Sequence, residues 1–254
     1  MADKKTIFVT GATSGVGLKM TELLVAQGHM VYATGRNTVA LKALERLGAI
    51  VIQADLTNLT AIDEVCAQLP PLDVAILSAG VGKFGIAPTL SDEEISQMVN
   101  LNVSVPIYLA KRLTLPMIQR QQGHLIFIGS QAGKVATPKA SVYAATKHAI
   151  VGFTNGLRME LAPYQIKVTA IHPGPIDTPF LDKASDDSGY RASLGRFLLT
   201  AEEVAQATVK TIKRPVREVN LPKIMGLSSK LYALAPAAIE FLGKSFFNKK
   251  NSRD

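Results

Sequence analysis

Three side chains in the middle of the chain have the types and spacing of an acid/base site. Ser130 follows an apolar run, while Tyr143 and Lys147 lie four residues apart in a helix-forming segment. That spacing places the phenol and the amine on one helix face. A phenol with a reference pKa of about 10 is a poor acid or base at neutral pH, but a nearby ammonium favours its ionised form. We therefore predict a general acid/base of tyrosine and lysine, with Ser130 holding the oxygen of a reacting carbonyl.

The same residues also fit a half-buried tyrosine and a solvated lysine without a chemical role. A glycine-rich turn near the start of the chain favours the chemical interpretation. It follows a predicted strand at residues 6–9 and precedes a helical segment. Such a turn forms a cradle for a pyrophosphate, because bare backbone approaches the anion and the helix dipole attracts its charge. The predicted cradle consists of Gly11, Thr13, Ser14, Gly15, Val16 and Gly17.

The end of the second predicted strand, residues 31–34, indicates which dinucleotide binds. An NAD-binding unit usually has an acidic residue there for the ribose 2′-hydroxyl. This chain has Gly35 followed by Arg36, and a guanidinium suits a 2′-phosphate. We therefore predict NADP, with NADPH preferred over NADH. Asp55, after the third predicted strand, either accepts a hydrogen bond from the adenine amine or caps the next helix.

The predicted elements alternate between strands and helices along the chain. This alternation predicts an α/β fold with a Rossmann-type, doubly wound parallel sheet of about seven strands and helices on both faces. A chain of 254 residues fits a single domain, 1–254. Within it, the polar and irregular stretch at about 179–200 predicts a substrate lid, and about 228–247 a C-terminal helical tail.

Two prolines stand next to candidate site residues. Ser91 opens a capping box and a long helix that contains Pro106. Proline cannot bond to the residue four positions back, Asn102, so a kink should free the Asn102 carbonyl to hold a proton-relay water; alternatively, Pro106 only bends the helix.

Later, Pro173 begins a rigid turn at the end of the sixth strand. The neighbouring His172 could be a base, but we expect a packed strand-end histidine.

Composition limits the remaining possibilities. A net charge of +8 could attract anionic cofactors, acyl carriers, lipid headgroups or nucleic acid, but no DNA-binding motif is present, and no nucleic acid partner is expected. A single cysteine fits a reducing compartment and indicates a cytoplasmic location. The apolar C-terminal stretch is interrupted too often to span a bilayer. It could rest on an anionic membrane surface, although packing over the substrate pocket or a partner subunit is the preferred expectation.

Together these motifs resemble the short-chain dehydrogenase/reductase family, in its single-domain branch. The similarity runs from residue 5 to about residue 178. The family's T-G-x-x-x-G-x-G matches residues 10–17, and its N-N-A-G corresponds to residues 77–80, where Leu77 and Ser78 replace both asparagines. The Pro-Gly motif matches Pro173 and Gly174.

The resemblance implies hydride transfer between a nicotinamide and a carbonyl or secondary alcohol. Its catalytic tetrad corresponds to Asn102, Ser130, Tyr143 and Lys147, with Asn100 as a weaker claimant. Tyr143 would supply or remove the alcohol proton, and no metal is implied. Besides the cradle and Arg36, the cofactor would contact Asp55, Leu56, Ser78, Ala79, Gly80, Tyr143, Lys147, Pro173, Gly174, Ile176 and Thr178.

Partner and substrate are less defined. The resemblance implies a homodimer or homotetramer joined through helices at about 95–120 and 142–162. The lid residues suggest an apolar substrate with an anionic end: a 3-oxoacyl thioester, a hydroxy acid or a steroid-like ketone. A non-catalytic, NADP-binding regulatory protein is the alternative. The lid side chains behind this expectation are Leu181, Tyr190, Arg191, Arg196, Phe197, Leu198 and Leu199.

Overall fold

A computed structural model of the protein describes residues 4–185, 191, 194–195 and 198–242. Its strands are β1 (Thr6–Thr10), β2 (Met30–Gly35), β3 (Ile50–Gln53), β4 (Val74–Leu77), β5 (His124–Ile128), β6 (Lys167–Pro173), β7 (Ile176–Asp177), β8 (Leu199–Thr200) and β9 (Glu218–Leu221). The main sheet has seven parallel strands in the order β3-β2-β1-β4-β5-β6-β9, and β7 pairs with β8 separately.

Helices connect the strands. They are α1 (Gly15–Ala26), α2 (Thr38–Arg46), α3 (Leu59–Ala67), α4 (Asp92–Val99), α5 (Val105–Arg120), α6 (Ser141–Leu161), α7 (Pro179–Ala184), α8 (Ala201–Lys213), α9 (Lys223–Leu234) and α10 (Pro236–Leu242). A π-helical turn, Asn100–Ser104, joins α4 to α5. Short 3₁₀ turns occupy Ala87–Thr89, Gln131–Gly133 and Ala162–Tyr164.

The alternation of side chains along each strand fills two cores, one on each face of the sheet. Phe8 of β1 packs on one face with residues of α3, α5 and α6. Its neighbours Ile7 and Val9 point to the other face and pack with residues of α1, α2 and α8. The predicted doubly wound parallel sheet of seven strands is therefore confirmed.

The strand order places the functional edge of the sheet. Strands β1 and β4 are adjacent, and the chain proceeds outward from them in opposite directions. In open α/β sheets, ligands bind at the carboxyl ends of the strands where the order reverses. The glycine-rich turn after β1 lies at this point.

Several predicted boundaries were wrong. The lid was predicted to be irregular from residue 180, but α7 forms there, and β7 and β8 were not predicted. The helical tail begins at Lys223 rather than at about 228, because Pro222 is the N-cap of α9. The predicted long helix after Ser91 is divided by the π-helical turn. Residues 186–190, 192–193, 196–197 and 243–247 lie outside the described residues, and so do the lid candidates Tyr190, Arg196 and Phe197.

Candidate active site

The glycine-rich turn is held against the end of β4. The Thr10 hydroxyl oxygen accepts hydrogen bonds from the backbone N–H groups of Ser78 at 3.0 Å and Ala79 at 3.1 Å. Gly11 has a φ of +67°, and a Cβ there would lie 2.9 Å from the Cα of Ala79. A Cβ on Gly17 would overlap the Gly11 carbonyl oxygen. The turn thus presents bare backbone at the N-terminus of α1, as a pyrophosphate cradle requires.

The Pro-Gly motif reaches this cradle from the other side. The Gly174 N–H donates to the Leu221 carbonyl at 2.6 Å, which ties the turn after β6 to β9. Thr178 is buried and packs closely on Gly15, since a Cβ added to Gly15 would lie 3.2 Å from the Thr178 methyl group. The two motifs meet although more than a hundred and fifty residues separate them in the sequence.

Not every predicted cofactor residue exposes its side chain to this crevice. Val16 and Leu56 are buried, each in one of the two cores. Only their backbone is therefore available to a ligand. Ser14 is the N-cap of α1, and Ile176 lies in β7.

At the end of β2 the Thr13 side chain crowds the position where an NAD-binding unit has an acidic residue. A Cβ on Gly35 would lie 2.5 Å from the Thr13 methyl group. The neighbouring Arg36 lies 3.7 Å from Asp55, measured from Nη1 to Oδ2, and both side chains are about half exposed. The Arg36 guanidinium can bind a phosphate in place of this weak surface ion pair.

Asp55 does not cap the next helix, so that alternative is wrong. Asn58 caps α3 by accepting a hydrogen bond from the Thr60 N–H. Asp55 Oδ1 instead accepts from the N–H and the hydroxyl of Thr57, at 3.1 and 2.8 Å. Burial raises the pKa of Asp55, but the hydrogen bonds from Thr57 and the charge of Arg36 outweigh it and hold the pKa below its usual value.

Tyr143 and Lys147 lie on the inward face of α6, and both are buried. The Lys147 amine is 5.8 Å from the centroid of the Tyr143 ring and donates a hydrogen bond to the Ile128 carbonyl at 3.2 Å. Burial lowers the pKa of Lys147 to about 8. The alternative of a solvated lysine is therefore wrong, because only 7% of this side chain is exposed.

Asn102 belongs to the π-helical turn, directly before the proline that predicted an irregularity. The Asn102 side-chain oxygen Oδ1 accepts a hydrogen bond from the Val81 N–H at 2.9 Å, and the side-chain amide donates to the Val81 carbonyl at 2.8 Å. The amide also donates to the Thr146 hydroxyl at 3.1 Å. A Cβ on Gly80 would lie 3.1 Å from Asn102 Oδ1 and 3.7 Å from the Lys147 amine. Pro106 indicated only a role for the Asn102 carbonyl, and nothing in the sequence predicted this side-chain link between the loop after β4 and α6.

Ser130 follows β5 and opens the Gln131–Gly133 turn, where its hydroxyl oxygen accepts from the Ala132 N–H at 3.1 Å. A Cβ on Gly133 would lie 2.6 Å from the Lys147 carbonyl oxygen, so the turn packs closely on α6. The Ser130 turn and the Tyr143–Lys147 helix are thus in direct contact.

Polar residues that gave no signal in the sequence connect the Ser130 turn and the residues after it to β6 and β9. The Gln131 amide donates to the carbonyl of His172 at 2.7 Å and to the side chain of Asn220 at 3.0 Å. The Lys134 amine donates to Glu218 at 2.7 Å. Glu218 and Asn220 belong to β9, far away in sequence, so no local pattern could have revealed these bonds.

His172 is a packed strand-end histidine, as predicted. It is 1% exposed, and its Nδ1 faces the backbone of Gly129, where a Cβ would lie 2.7 Å away. Burial lowers the pKa of His172 to about 4, and the charge of Lys134 adds to the effect. The imidazole is therefore neutral near pH 7 and enclosed by the sheet.

Two phenylalanine rings flank Tyr143. The ring centroids lie 5.7 Å away for Phe84 and 5.8 Å for Phe180. The Phe84 N–H donates to the Ala184 carbonyl at 2.6 Å, which joins the loop after β4 to α7. The space beside the Tyr143 ring is therefore bounded by aromatic side chains. Phe84 was missed in the sequence, since an isolated phenylalanine in a loop carries no signal.

The comparisons with known proteins agree with this geometry. A family model described as short chain dehydrogenase matches residues 5–189. The chain belongs to the short-chain dehydrogenase/reductase family. Within this family it is 34% identical over 214 residues to an NADP-dependent 3-hydroxy acid dehydrogenase of Escherichia coli, covering 79% of this chain and 86% of the relative. It is 32% identical over 181 residues to a 3-ketodihydrosphingosine reductase of Bacteroides thetaiotaomicron, covering 69% and 65%.

Solved structures of the short-chain dehydrogenase/reductase family include similar chains with bound nucleotide. The closed form of serine dehydrogenase complexed with NADP+ aligns with a TM-score of 0.80 at 31% identity, covering 85% of this chain and 94% of that one. A short-chain dehydrogenase from Sphingobium yanoikuyae in complex with NADPH aligns with a TM-score of 0.81 at 26% identity, covering 94% and 95%.

This short-chain dehydrogenase/reductase is an oxidoreductase of hydroxyl or carbonyl groups that uses NADP. The glycine cradle at Gly11 and Gly17 fits a pyrophosphate, while Gly35 and Arg36 fit a 2′-phosphate better than a free ribose. Across residues 4–185 and the later described segments, no group of three His, Cys, Asp or Glu side chains could hold a metal ion. Of the helices in that same part of the chain, none has the length and apolar character needed to cross a membrane.

Proposed function

We propose that the protein is an NADPH-dependent reductase of ketones or aldehydes, able to catalyse the reverse alcohol oxidation, with Tyr143 as the general acid/base. The observation that carries the proposal is the buried Lys147 amine beside the Tyr143 ring, at the same sheet edge as the glycine cradle. An ammonium in this position favours the phenolate and so brings the phenol closer to proton transfer at neutral pH.

Each remaining residue takes one role in this proposal. When bound, NADPH supplies the hydride for the carbonyl carbon. The Ser130 hydroxyl donates a hydrogen bond to the carbonyl oxygen and stabilises its developing charge. Tyr143 donates the proton to that oxygen, and Lys147 bonds the nicotinamide ribose. Asn102 holds the loop after β4 against α6, and its carbonyl anchors a water that returns protons toward Lys147.

The surroundings of Tyr143 favour an uncharged, apolar carbonyl substrate. Phe84 and Phe180 flank the phenol ring. Arg191, which the sequence suggested as a partner for an anionic end, is paired with Asp177 and Asp182. We therefore place aryl and long-chain alkyl ketones ahead of hydroxy acids and 3-oxoacyl thioesters. A higher kcat/KM for oxo acids than for uncharged ketones of equal length would reverse this order.

The proposal is tested by Tyr143→Phe. We expect turnover of a ketone substrate to fall at least about a hundredfold, because the proton donor is lost, while NADPH binding is retained. Turnover is measured by NADPH oxidation and binding by NADPH fluorescence. Tyr164→Phe, in an exposed tyrosine of the turn that follows α6, is the matched control and should change neither value. Unchanged turnover in Tyr143→Phe would remove the acid/base assignment, and a broad carbonyl panel without NADPH oxidation would favour a regulatory protein.

We also propose a cytoplasmic homodimer or homotetramer joined through α5 and α6. Support comes from large apolar side chains that these helices and the adjoining α4 expose, since such patches mark protein interfaces. They are Val99, Tyr108, Leu115 and Met159. The single cysteine supports the cytoplasmic location. Light scattering that reports a monomer would contradict the assembly.

A further inference from the structure

Helix α9 exposes a continuous apolar row. Ile224, Leu227, Leu231 and Leu234 are between 53% and 84% exposed. Their spacing of three, four and three residues places them within an arc of about 80°, because each helical residue turns by about 100°. Phe241 of the following helix, α10, is also 79% exposed. Scattered exposed leucines are ordinary, but an unbroken row along one helix face marks an interaction surface.

The opposite side of α9 is fixed to the domain. Gly226 and Ser229 are buried, and a Cβ on Gly226 would lie 2.8 Å from the Asn220 side chain in β9. Met225 packs on the turn after β6, since a Cβ added to Gly174 would lie 2.9 Å from the Met225 sulfur. The helix therefore cannot rotate to bury the apolar row without giving up these contacts.

Positive charge borders the row. Lys223 and Lys230 are exposed and lie seven residues apart, so both stand on one edge of the apolar arc. The acidic Glu240 of the following helix accepts a hydrogen bond from the Tyr232 hydroxyl at 2.6 Å. Beyond residue 242 the sequence continues with four basic residues and one acidic residue. These basic residues are Lys244, Lys249, Lys250 and Arg253.

We propose that the outer face of α9, formed by Ile224, Leu227, Leu231 and Leu234, docks on an anionic lipid surface. A helix lying in the plane of a membrane interface has this composition, with leucines entering the acyl boundary and flanking lysines meeting the headgroups. A second copy of the chain is the competing occupant. In an antiparallel two-fold contact through this face, the lysine edges of the two copies would meet, and like charges oppose that arrangement.

The docking also has a defined orientation. Helix α9 packs against β9 and the Gln131–Gly133 turn, at the carboxyl edge of the sheet. A lipid surface on α9 would therefore lie beside the edge that carries Ser130 and the Pro-Gly motif.

The test is co-sedimentation of the full chain with large vesicles. We compare phosphatidylcholine alone with phosphatidylcholine containing about a quarter phosphatidylglycerol. We expect binding to the anionic vesicles and little to the neutral ones. Raising the salt from about 0.1 to about 0.5 M should weaken binding, because the charges are screened. The double variant Leu227→Gln/Leu231→Gln should lower the partition coefficient at least about tenfold, through lost apolar contact.

Two further variants separate the causes. Lys223→Gln/Lys230→Gln should also lower binding to anionic vesicles about tenfold or more, while leaving melting temperature unchanged. Val39→Gln/Leu47→Gln removes exposed apolar residues at the opposite edge of the sheet and should bind as the wild type does. Absence of wild-type binding, or equal binding by the α9 variants, would overturn the proposal. A change of oligomeric state in Leu227→Gln/Leu231→Gln, without vesicle binding by the wild type, would assign the face to a second copy.

Discussion

At the scale of single residues, Lys147 combines a proposed catalytic role with a cost in stability. Its usual pKa of 10.5 falls to about 8 through burial, so the unfolded chain binds more protons between these values. Stability therefore rises with pH through that window, and below pH 8 the full cost of about 3 kcal/mol is present. Residues at functional sites commonly carry such a cost.

We predict that Lys147→Met stabilises the free protein at pH 7 while abolishing turnover. The Ile128 carbonyl loses its hydrogen-bond donor, which offsets part of the gain in unfolding free energy. A net stabilisation of about 1–2 kcal/mol remains. The melting temperature should rise by about 2–6 °C. Differential scanning calorimetry without nucleotide gives this value, and the exposed Lys42→Met serves as control. A lower melting temperature than the wild type would contradict the assigned burial cost.

The predicted role of Arg36 in nucleotide preference also depends on one charge. We predict that Arg36→Ala raises the KM for NADPH about ten- to a hundredfold, because the 2′-phosphate loses its guanidinium partner, and leaves the KM for NADH nearly unchanged. Steady-state kinetics with both nucleotides measures the effect. Arg46→Ala, on the same side of the sheet at the end of α2, is the control. Equal use of NADH and NADPH by the wild type would refute the role of Arg36.

At the scale of elements, the two asparagines of the π-helical turn, Asn102 and the weaker claimant Asn100, differ in their hydrogen bonds. Asn102 makes three hydrogen bonds to Val81 and Thr146, whereas Asn100 donates one, to the Thr57 carbonyl at 3.1 Å. We predict that Asn102→Ala costs about 2–3 kcal/mol of unfolding free energy and lowers turnover more than tenfold, since buried groups lose their partners.

Asn100→Ala is the matched variant within the same turn. It should cost about 1 kcal/mol and keep its turnover. Urea unfolding and NADPH oxidation measure the two quantities. If Asn100→Ala affects turnover as strongly as Asn102→Ala, the two assignments would have to be exchanged.

The elements also show what a single sequence can and cannot predict. The capping boxes at Ser91 and Thr200 follow from local side-chain chemistry and are present in the structure. The proline at 106 indicated a helix irregularity, and the π-helical turn lies directly before it. Helix α7 was missed because a short helix starting at a proline within a polar segment has little periodicity. The β7–β8 pair was missed because two-residue strands depend on contacts from elsewhere in the chain.

At the scale of the whole molecule, two enclosed histidines contribute to the response to acid. His124 bonds Thr169 through Nε2 at 2.8 Å, and burial lowers its pKa to about 4, as it does for His172. Each folded pKa lies below the usual value of 6.5, so the unfolded chain binds more protons between pH 6.5 and 4. Stability is therefore lost as the pH falls through this window.

We predict that each histidine contributes up to about 3 kcal/mol to this loss. Urea unfolding at intervals between pH 7 and 4.5 should show a steadily falling free energy. The double variant His124→Gln/His172→Gln should show a much smaller slope, even if its stability at pH 7 is lower. A wild-type free energy that is constant over this range would disprove the prediction.

The site as a whole follows from topology that the motifs only indicate. The predicted cradle and Pro-Gly turn meet because β1 and β6 end at the same edge of a parallel sheet. The alternation of strands and helices in the sequence predicted that sheet. The bonds from Gln131 to Asn220 and from Lys134 to Glu218 could not be predicted. These bonds depend on the pairing of β9 with β6 in the sheet, and no residue pattern in either strand predicts that pairing.

The crowding of Gly35 by Thr13 limits how nucleotide specificity can be redesigned. Introducing an aspartate at position 35 to favour NADH would strike the threonine methyl group, so that substitution alone should damage the protein rather than convert it. A smaller residue at position 13 has to come first, and only then can the acid be accommodated. We therefore expect libraries that vary positions 13 and 35 together to yield NADH-using variants that variation of position 35 alone does not yield.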